Sequence, residues 1–245
     1  MKPVLVDWLE LGRMEYADAY QLQLRLSQQL KSHHLAGYLL VTEHPPTITL
    51  GYSLRGDEGK SYLRVSEETI KRMGIKIFQS ERGGKATYHG PGQLIVYPVF
   101  NLNFLNLSTK KYVMRLEEVV VNWLRGLGID AGLDLEYPGV WVDDKKIASV
   151  GVRIEDRITR HGIAINLNPD LAHFELIIPC GIKTRKMTSY WELTGTRLER
   201  KEAILGLVES FKKVFQIEVI AGDKNSLFFK GGFNDNQGMA HAGSV

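Results

Sequence analysis

The sequence predicts an α+β domain built on a mixed, mostly antiparallel sheet flanked by helices. Three observations point there. β-like runs recur in pairs across short turns, as at 146–155 and 158–167 around Asp156-Arg157. Helical periodicity is confined to separate stretches, at 15–30, 108–127 and 201–215, without strict βαβ alternation. The third is a glycine-rich stretch at 82–94, RGGKATYHGPGQL, which runs straight into the apolar segment 95–100. Gly83-Gly84 and Gly90-Pro91-Gly92 mark places where the backbone must turn tightly or approach something closely. The stretch therefore reads as a tight loop, a short extended piece, a second tight loop and a buried strand. Taken alone it is a connection between strands. Its Arg and His give it the character of a binding loop on a rigid sheet.

Taken in order, 3–9 mixes β-branched and aromatic residues and predicts a strand. Ala19, Leu22, Leu26 and Leu30 recur at steps of three and four and predict a helix over 15–30. A short strand at 37–41 is interrupted by Thr42-Glu43-His44-Pro45-Pro46, where His44 reads as a turn residue, and β character resumes at 47–50. The polar stretch 52–64 is expected to be an exposed, mobile loop. Ser66 caps a short helix over 66–73, and 75–79 is a strand leading into the glycine-rich stretch. Tyr112, Val113, Leu116, Val119, Val120, Trp123, Leu124 and Leu127 share one face of a helix capped by Ser108 or Thr109 and stopped by Gly128. Pro138-Gly139 turns the chain into a strand at 140–142, and Asp143-Asp144-Lys145 turns it into the pair at 146–155 and 158–167. A last helix over 201–215 and a strand at 217–220 close the domain. No linker divides 1–220; the segment 221–245 carries no period and is expected to be a loose tail, with Leu227-Phe228-Phe229 docking on the domain.

Composition narrows the function classes. At 245 residues, 44% hydrophobic and 24% charged, the chain can bury a sizeable core. A net charge of +3 is too small to suggest a nucleic-acid partner. No long apolar segment follows Lys2 and no apolar run is long enough for a bilayer, so a cytoplasmic protein without a secretory leader or a membrane partner is expected. One cysteine, Cys180, excludes an intramolecular disulfide. The spacings of a P-loop, a dinucleotide-binding turn, HExxH and GxSxG are all missing, and the seven histidines have no metal-ligand spacing. No cofactor and no metal are expected.

That leaves the cysteine. A lone Cys among apolar residues is ordinarily buried and inert. Pro179 and Gly181 impose a defined backbone around this one, which can present a thiol beside free N–H groups. A nucleophilic thiol also needs a group that lowers its pKa, and an ammonium would serve. Lys146 opens a strand containing the small residues Ala148, Ser149 and Gly151. Spacing alone does not pair Lys146 with Cys180.

Three blocks, RGGKATYHGPGQLIVYP at 82–98, GVWVDDKKIASVGVRI at 139–154 and HGIAINLNPDLAHFELIIPCGI at 161–182, with the weaker TEHPPTITLG at 42–51, closely resemble the octanoyltransferases of lipoate biosynthesis. The match in order and spacing spans most of 4–220. The resemblance implies the fold of the biotin and lipoate protein ligases. It implies Cys180 as the nucleophile that carries the acyl chain as a thioester and Lys146 as the residue that lowers its pKa. Substrate contacts are implied at Arg82, Gly83, Gly84, Lys85, Ala86, Thr87, Tyr88 and His89, at Ser149, Val150 and Gly151, and at Gly162, Ile163 and Ala164. Octanoyl-acyl carrier protein is the implied donor. The implied acceptors are lipoyl domains of 2-oxoacid dehydrogenase E2 subunits and the glycine cleavage H protein. An acidic carrier would dock on a basic face, for which Lys183, Arg185 and Lys186 are candidates. Three alternatives stay open: an ATP-dependent lipoate or biotin ligase, an amidotransferase acting between lipoyl domains, and a non-catalytic carrier-binding module.

Overall fold

A computed structural model describes residues 4–32, 36–134, 136–179 and 185–222. The strands are β1 (Val4–Arg13), β2 (Gly37–Glu43), β3 (Thr47–Leu50), β4 (Lys76–Gln79), β5 (Thr87–His89), β6 (Gln93–Phe100), β7 (Gly132–Leu133), β8 (Val140–Val142), β9 (Lys145–Glu155), β10 (Ile158–Asn166) and β11 (Ile217–Ala221). The helices are α1 (Tyr16–Ser32), α2 (Asp57–Lys60), α3 (Glu67–Arg72), α4 (Thr109–Gly126), α5 (Tyr190–Thr194) and α6 (Arg200–Phe215), with a 3-10 turn at Leu171–Leu176.

Among the described residues the strands form two sheets, in the orders β11-β1-β2-β6-β10-β9-β8-β7 and β4-β3-β5. Pairing in the large sheet is antiparallel except along β1, which runs parallel to both β2 and β11. The parallel step from β1 to β2 is made possible by α1, a crossover long enough to return the chain to the same end. Alternation along β6 explains the layering. Leu94, Val96 and Phe100 join Tyr112, Leu116 and Val120 of α4 and Phe211 and Phe215 of α6 in one core. Ile95, Tyr97 and Val99 join Leu22, Leu26 and Leu30 of α1 in another. Covered on both faces, β6 is buried at all eight positions, as its near-continuous apolar sequence requires.

The helix caps follow local chemistry. Ser66 accepts a hydrogen bond from the Thr69 N–H, and Ser108 accepts one from the Lys111 N–H, each satisfying a donor that the first helical turn leaves open. Two expectations change. The stretch 52–64 is not a uniformly exposed loop: Leu54 is buried with Ile48, Ile70 and Tyr88 in a third core under the small sheet. Leu63 bridges to Ile177, and α2 lies between Leu54 and Leu63 in the chain. The apolar residues of this stretch have no period, and their partners Phe174 and Ile177 are distant in sequence. The small sheet itself was also not separable from the large one by sequence pattern, because β3 and β5 read as continuations of their neighbours. At the C-terminal end Ala221 still pairs with Trp8, and the Gly222 N–H donates to the Trp8 carbonyl at 2.8 Å. The remainder of the tail, Leu227-Phe228-Phe229 included, lies outside the described residues. No described helix is long and apolar enough to cross a membrane.

Candidate active site

The loop at 82–85 is held between the two sheets. The Gly83 N–H donates to the Val152 carbonyl of β9 at 2.9 Å, and the Ser80 N–H donates to the Leu50 carbonyl of β3 at 2.8 Å. Arg82, almost buried, braces this loop from inside. Its Nε and Nη2 donate to Thr49 Oγ1 at 3.0 and 2.9 Å, and Nη2 also reaches the carbonyls of Thr49 and Lys85, each at 2.7 Å. A planar fork with several fixed donors suits this work, which one ammonium could not do. Gly51 and Gly84 meet so closely that a Cβ on Gly51 would lie 2.1 Å from the Gly84 carbonyl oxygen.

Between this loop and strands β9 and β10 lies a cavity of about 380 Å³. Of the sequence-predicted contacts, Arg82, Gly83, Gly84, Lys85, Thr87, His89, Ser149, Val150, Gly151, Gly162, Ile163 and Ala164 line it, and so does Lys146. Ala86 and Tyr88 do not. Side chains alternate along β5, so Thr87 and His89 face the cavity while Ala86 and Tyr88 turn into the third core. The register Gly162 to Gly151 and Ala164 to Ser149 sets small residues opposite each other along the cavity wall, keeping it open.

One end is aromatic. Tyr16, Tyr97, His89 and His161 line it, and His44 stands directly behind, its ring 5.9 Å from that of His89. His44 is fully buried rather than a simple turn residue. Its Nδ1 lies 2.7 Å from the Met14 carbonyl and its Nε2 2.7 Å from the Tyr97 hydroxyl. A carbonyl only accepts, so Nδ1 carries the proton and Nε2 accepts from Tyr97. Burial pushes His44 down to about 4. Burial, then the charges of Arg82 and Arg160, push His161 down to about 3. Burial, with His44 and Arg82 adding to it, holds His89 well below the ordinary imidazole range. All three rings are therefore neutral near pH 7. His161 also has positive φ, 59°, held by a 2.6 Å bond from its N–H to Gln23 Oε1 of α1. Sequence reasoning missed Tyr16, Tyr97 and His161, which lie on three separate elements. The histidine that precedes Gly162 in the sequence was the available signal.

Lys146 occupies the other end, 2% exposed. Its Nζ donates to the Pro138 carbonyl at 2.6 Å and lies 5.5 Å from the Trp141 ring centroid. Its backbone is fixed on the side away from β8: the Lys146 N–H donates to Lys186 O and the Thr188 N–H to Lys146 O, both at 2.9 Å. Cys180 lies outside the described residues, as do Gly181 and Lys183. The chain on one flank is tied by the Ile178 N–H to Tyr62 O at 2.9 Å, and on the other by these bonds of 186 and 188 to Lys146. Arg185 pairs with Asp134 and lies 5.0 Å over the Trp141 ring, so its charge is already matched. Lys186 is exposed. No described group of three or more His, Cys, Asp or Glu residues is arranged to hold a metal ion.

The lipoyl protein ligase A/B catalytic domain family matches residues 15–212. An octanoyltransferase of Caldicellulosiruptor saccharolyticus is 42% identical over 212 residues, 86% of this chain and 88% of that one. One from Clostridium kluyveri is 35% identical over 222 residues, 90% of this chain and 93% of that one. The chain belongs to the octanoyltransferases. An octanoyltransferase is an acyltransferase, and a mostly uncharged cavity with a buried amine at one end suits that chemistry. Solved structures agree on the fold. A lipoate protein ligase of T. acidophilum with bound lipoic acid superposes with a TM-score of 0.71 at 18% identity, covering 93% of each chain. Lipoate-protein ligase A bound with ATP gives 0.69 at 18% identity, covering 93% of this chain and 92% of that one. The mixed sheet flanked by helices is thus the ligase-like fold that the sequence blocks implied.

Proposed function

We propose that this octanoyltransferase moves an octanoyl group from octanoyl-acyl carrier protein to a lysine of a lipoyl domain, through a thioester on Cys180. The observation that carries the reading is the cavity, with apolar and small-residue walls and the buried Lys146 Nζ at one end. An ammonium there favours thiolate over thiol at a neighbouring cysteine by charge attraction. The thiolate attacks the carrier's thioester carbonyl, a tetrahedral oxyanion forms and collapses, and the carrier's thiol leaves with a proton. One thioester replaces another, so no ATP is needed. The acyl chain lies along β9 and β10, where each buried CH₂ contributes about 0.8 kcal/mol. The acceptor lysine then attacks as the neutral amine, Lys146 in its deprotonated form takes the surplus proton, and the more stable amide draws the second half forward.

The contacts implied at 82–89, 149–151 and 162–164 form the chain-binding walls, with Ala86 and Tyr88 supporting the loop from behind. Residues 1–220 form the catalytic domain and the enzyme works in the cytoplasm. The acceptors are lipoyl domains of 2-oxoacid dehydrogenase E2 subunits and the H protein. An ATP-dependent ligase shares the fold, and the test separates the two. Intact mass is measured after mixing the protein with octanoyl-acyl carrier protein, without ATP. One added octanoyl group is expected, absent in Cys180→Ser, slowed at least 100-fold in Lys146→Ala, and discharged by a lipoyl domain. No adduct, but transfer once ATP and free octanoate are supplied, would replace this reading with the ligase.

A further inference from the structure

The buried face of α4 carries one carboxylate. Glu117, 8% exposed, stands among Leu116, Val120 and Val121. Burying a carboxylate is costly unless something specific receives it. Here Glu117 Oε1 accepts the Gly139 N–H at 2.7 Å. Gly139 follows Pro138, whose carbonyl holds Lys146 Nζ at 2.6 Å. The same turn touches the lysine side chain directly: a Cβ at Gly139 would lie 2.4 Å from Lys146 Cε and 3.0 Å from Nζ. Burial raises the Glu117 carboxyl, while the Gly139 N–H and the charge of Lys146 act to lower it.

We infer that Glu117 is a positioning residue for the reaction: it anchors the Pro138-Gly139 turn to α4, and the turn fixes the Lys146 amine at the end of the cavity. The helix supplies rigidity that a Pro-Gly turn lacks, and a displacement of about 1 Å in a reacting group can cost about 100-fold in rate. For its catalytic consequence the inference rests on the Cys180–Lys146 reading. For its structural content it does not.

Two measurements on the full chain separate the two. The first is modification of Lys146 by acetic anhydride, read peptide by peptide. Lys146 is expected to be protected in the wild type and at least 5-fold more reactive in Glu117→Ala. Glu117→Gln, which keeps an oxygen for the Gly139 N–H, stays close to wild type. Equal reactivity in all three overturns the inference whatever the mechanism. The second is the single-turnover rate of enzyme acylation by octanoyl-acyl carrier protein. Glu117→Ala is expected to lower it at least 10-fold with less than a 2-fold change in KM, and Glu117→Gln to recover most of it. In a Lys146→Ala background, Glu117→Ala should add no further loss, because both changes act through one amine. The same factor of loss in both backgrounds would assign Glu117 to general stability and overturn the inference. Absence of acylation in the wild type would sink the thioester reading alone, and the acetylation result would still decide the role of Glu117.

Discussion

Lys146 is placed by its neighbours' lack of side chain as much as by its own bonds. Gly139 has φ 129°, a conformation that side-chain-bearing residues avoid, and a Cβ there would also lie 2.5 Å from the Ala148 carbonyl oxygen. Gly128, at the end of α4, has φ 80° but nothing within 4 Å of its missing Cβ. The two glycines make a controlled pair. Gly128→Ala carries only the left-handed backbone penalty, about 1–2 kcal/mol, and acylation by the folded enzyme should be unchanged. Gly139→Ala carries a comparable backbone penalty and also pushes on Lys146. Its acylation rate is expected to fall at least 10-fold, equal to about 1.4 kcal/mol in the barrier, over and above any loss of stability. Denaturant unfolding and single-turnover acylation, measured on both variants, check this. A rate loss of the same size in both would remove contact with Lys146 as the cause.

At the level of elements, the division of labour inside the 82–89 stretch was legible only in part. Its two turns, the short extended piece and the buried strand after it follow from glycine placement and apolar run length. The alternation that turns Ala86 and Tyr88 away from the cavity depends on β5 pairing with β3, and no local pattern shows that. The same limit hid α5, whose five residues are too few for a period, and β7, which has two. It hid Tyr16, His44, Tyr97 and His161 as a group, because α1, the end of β2, β6 and β10 bring them together only once the large sheet has formed. Arg82, expected from the sequence as a substrate contact, lines the cavity, yet five of its bonds go to the loop and to β3. A test at this scale is Arg82→Lys, which keeps the charge but cannot bridge Thr49 and Lys85 together. Amide exchange in β3 and β5 is expected to quicken about 10-fold, with β6 unchanged. Unchanged protection in β3 and β5 would mean that the mini-core of Ile48, Ile70 and Tyr88 holds the small sheet without the guanidinium.

Across the whole molecule, the neutral histidines tie stability to pH. An imidazole in the unfolded chain titrates near 6.5, whereas His44 does so at about 4, His161 at about 3 and His89 lower than usual. The folded state thus refuses protons that the unfolded state binds. The stabilisation is fully present above pH 6.5 and is lost as pH falls from there through the folded values. Three such groups give a limiting slope of about 4 kcal/mol per pH unit, since each proton contributes about 1.4. Urea unfolding at intervals between pH 7.5 and 5 should show stability falling steeply below pH 6.5. His44→Gln should reduce that slope by about one proton while keeping a partner for the Tyr97 hydroxyl. An unaltered slope would mean that His44 titrates normally and that the cluster is not shielded as its burial requires. The functional consequence has the same origin: protonating any one of the three would set a charge in or directly behind the aromatic end of a cavity whose walls suit an uncharged chain. Acyl loading is therefore expected to weaken in the same pH interval in which the fold loses stability.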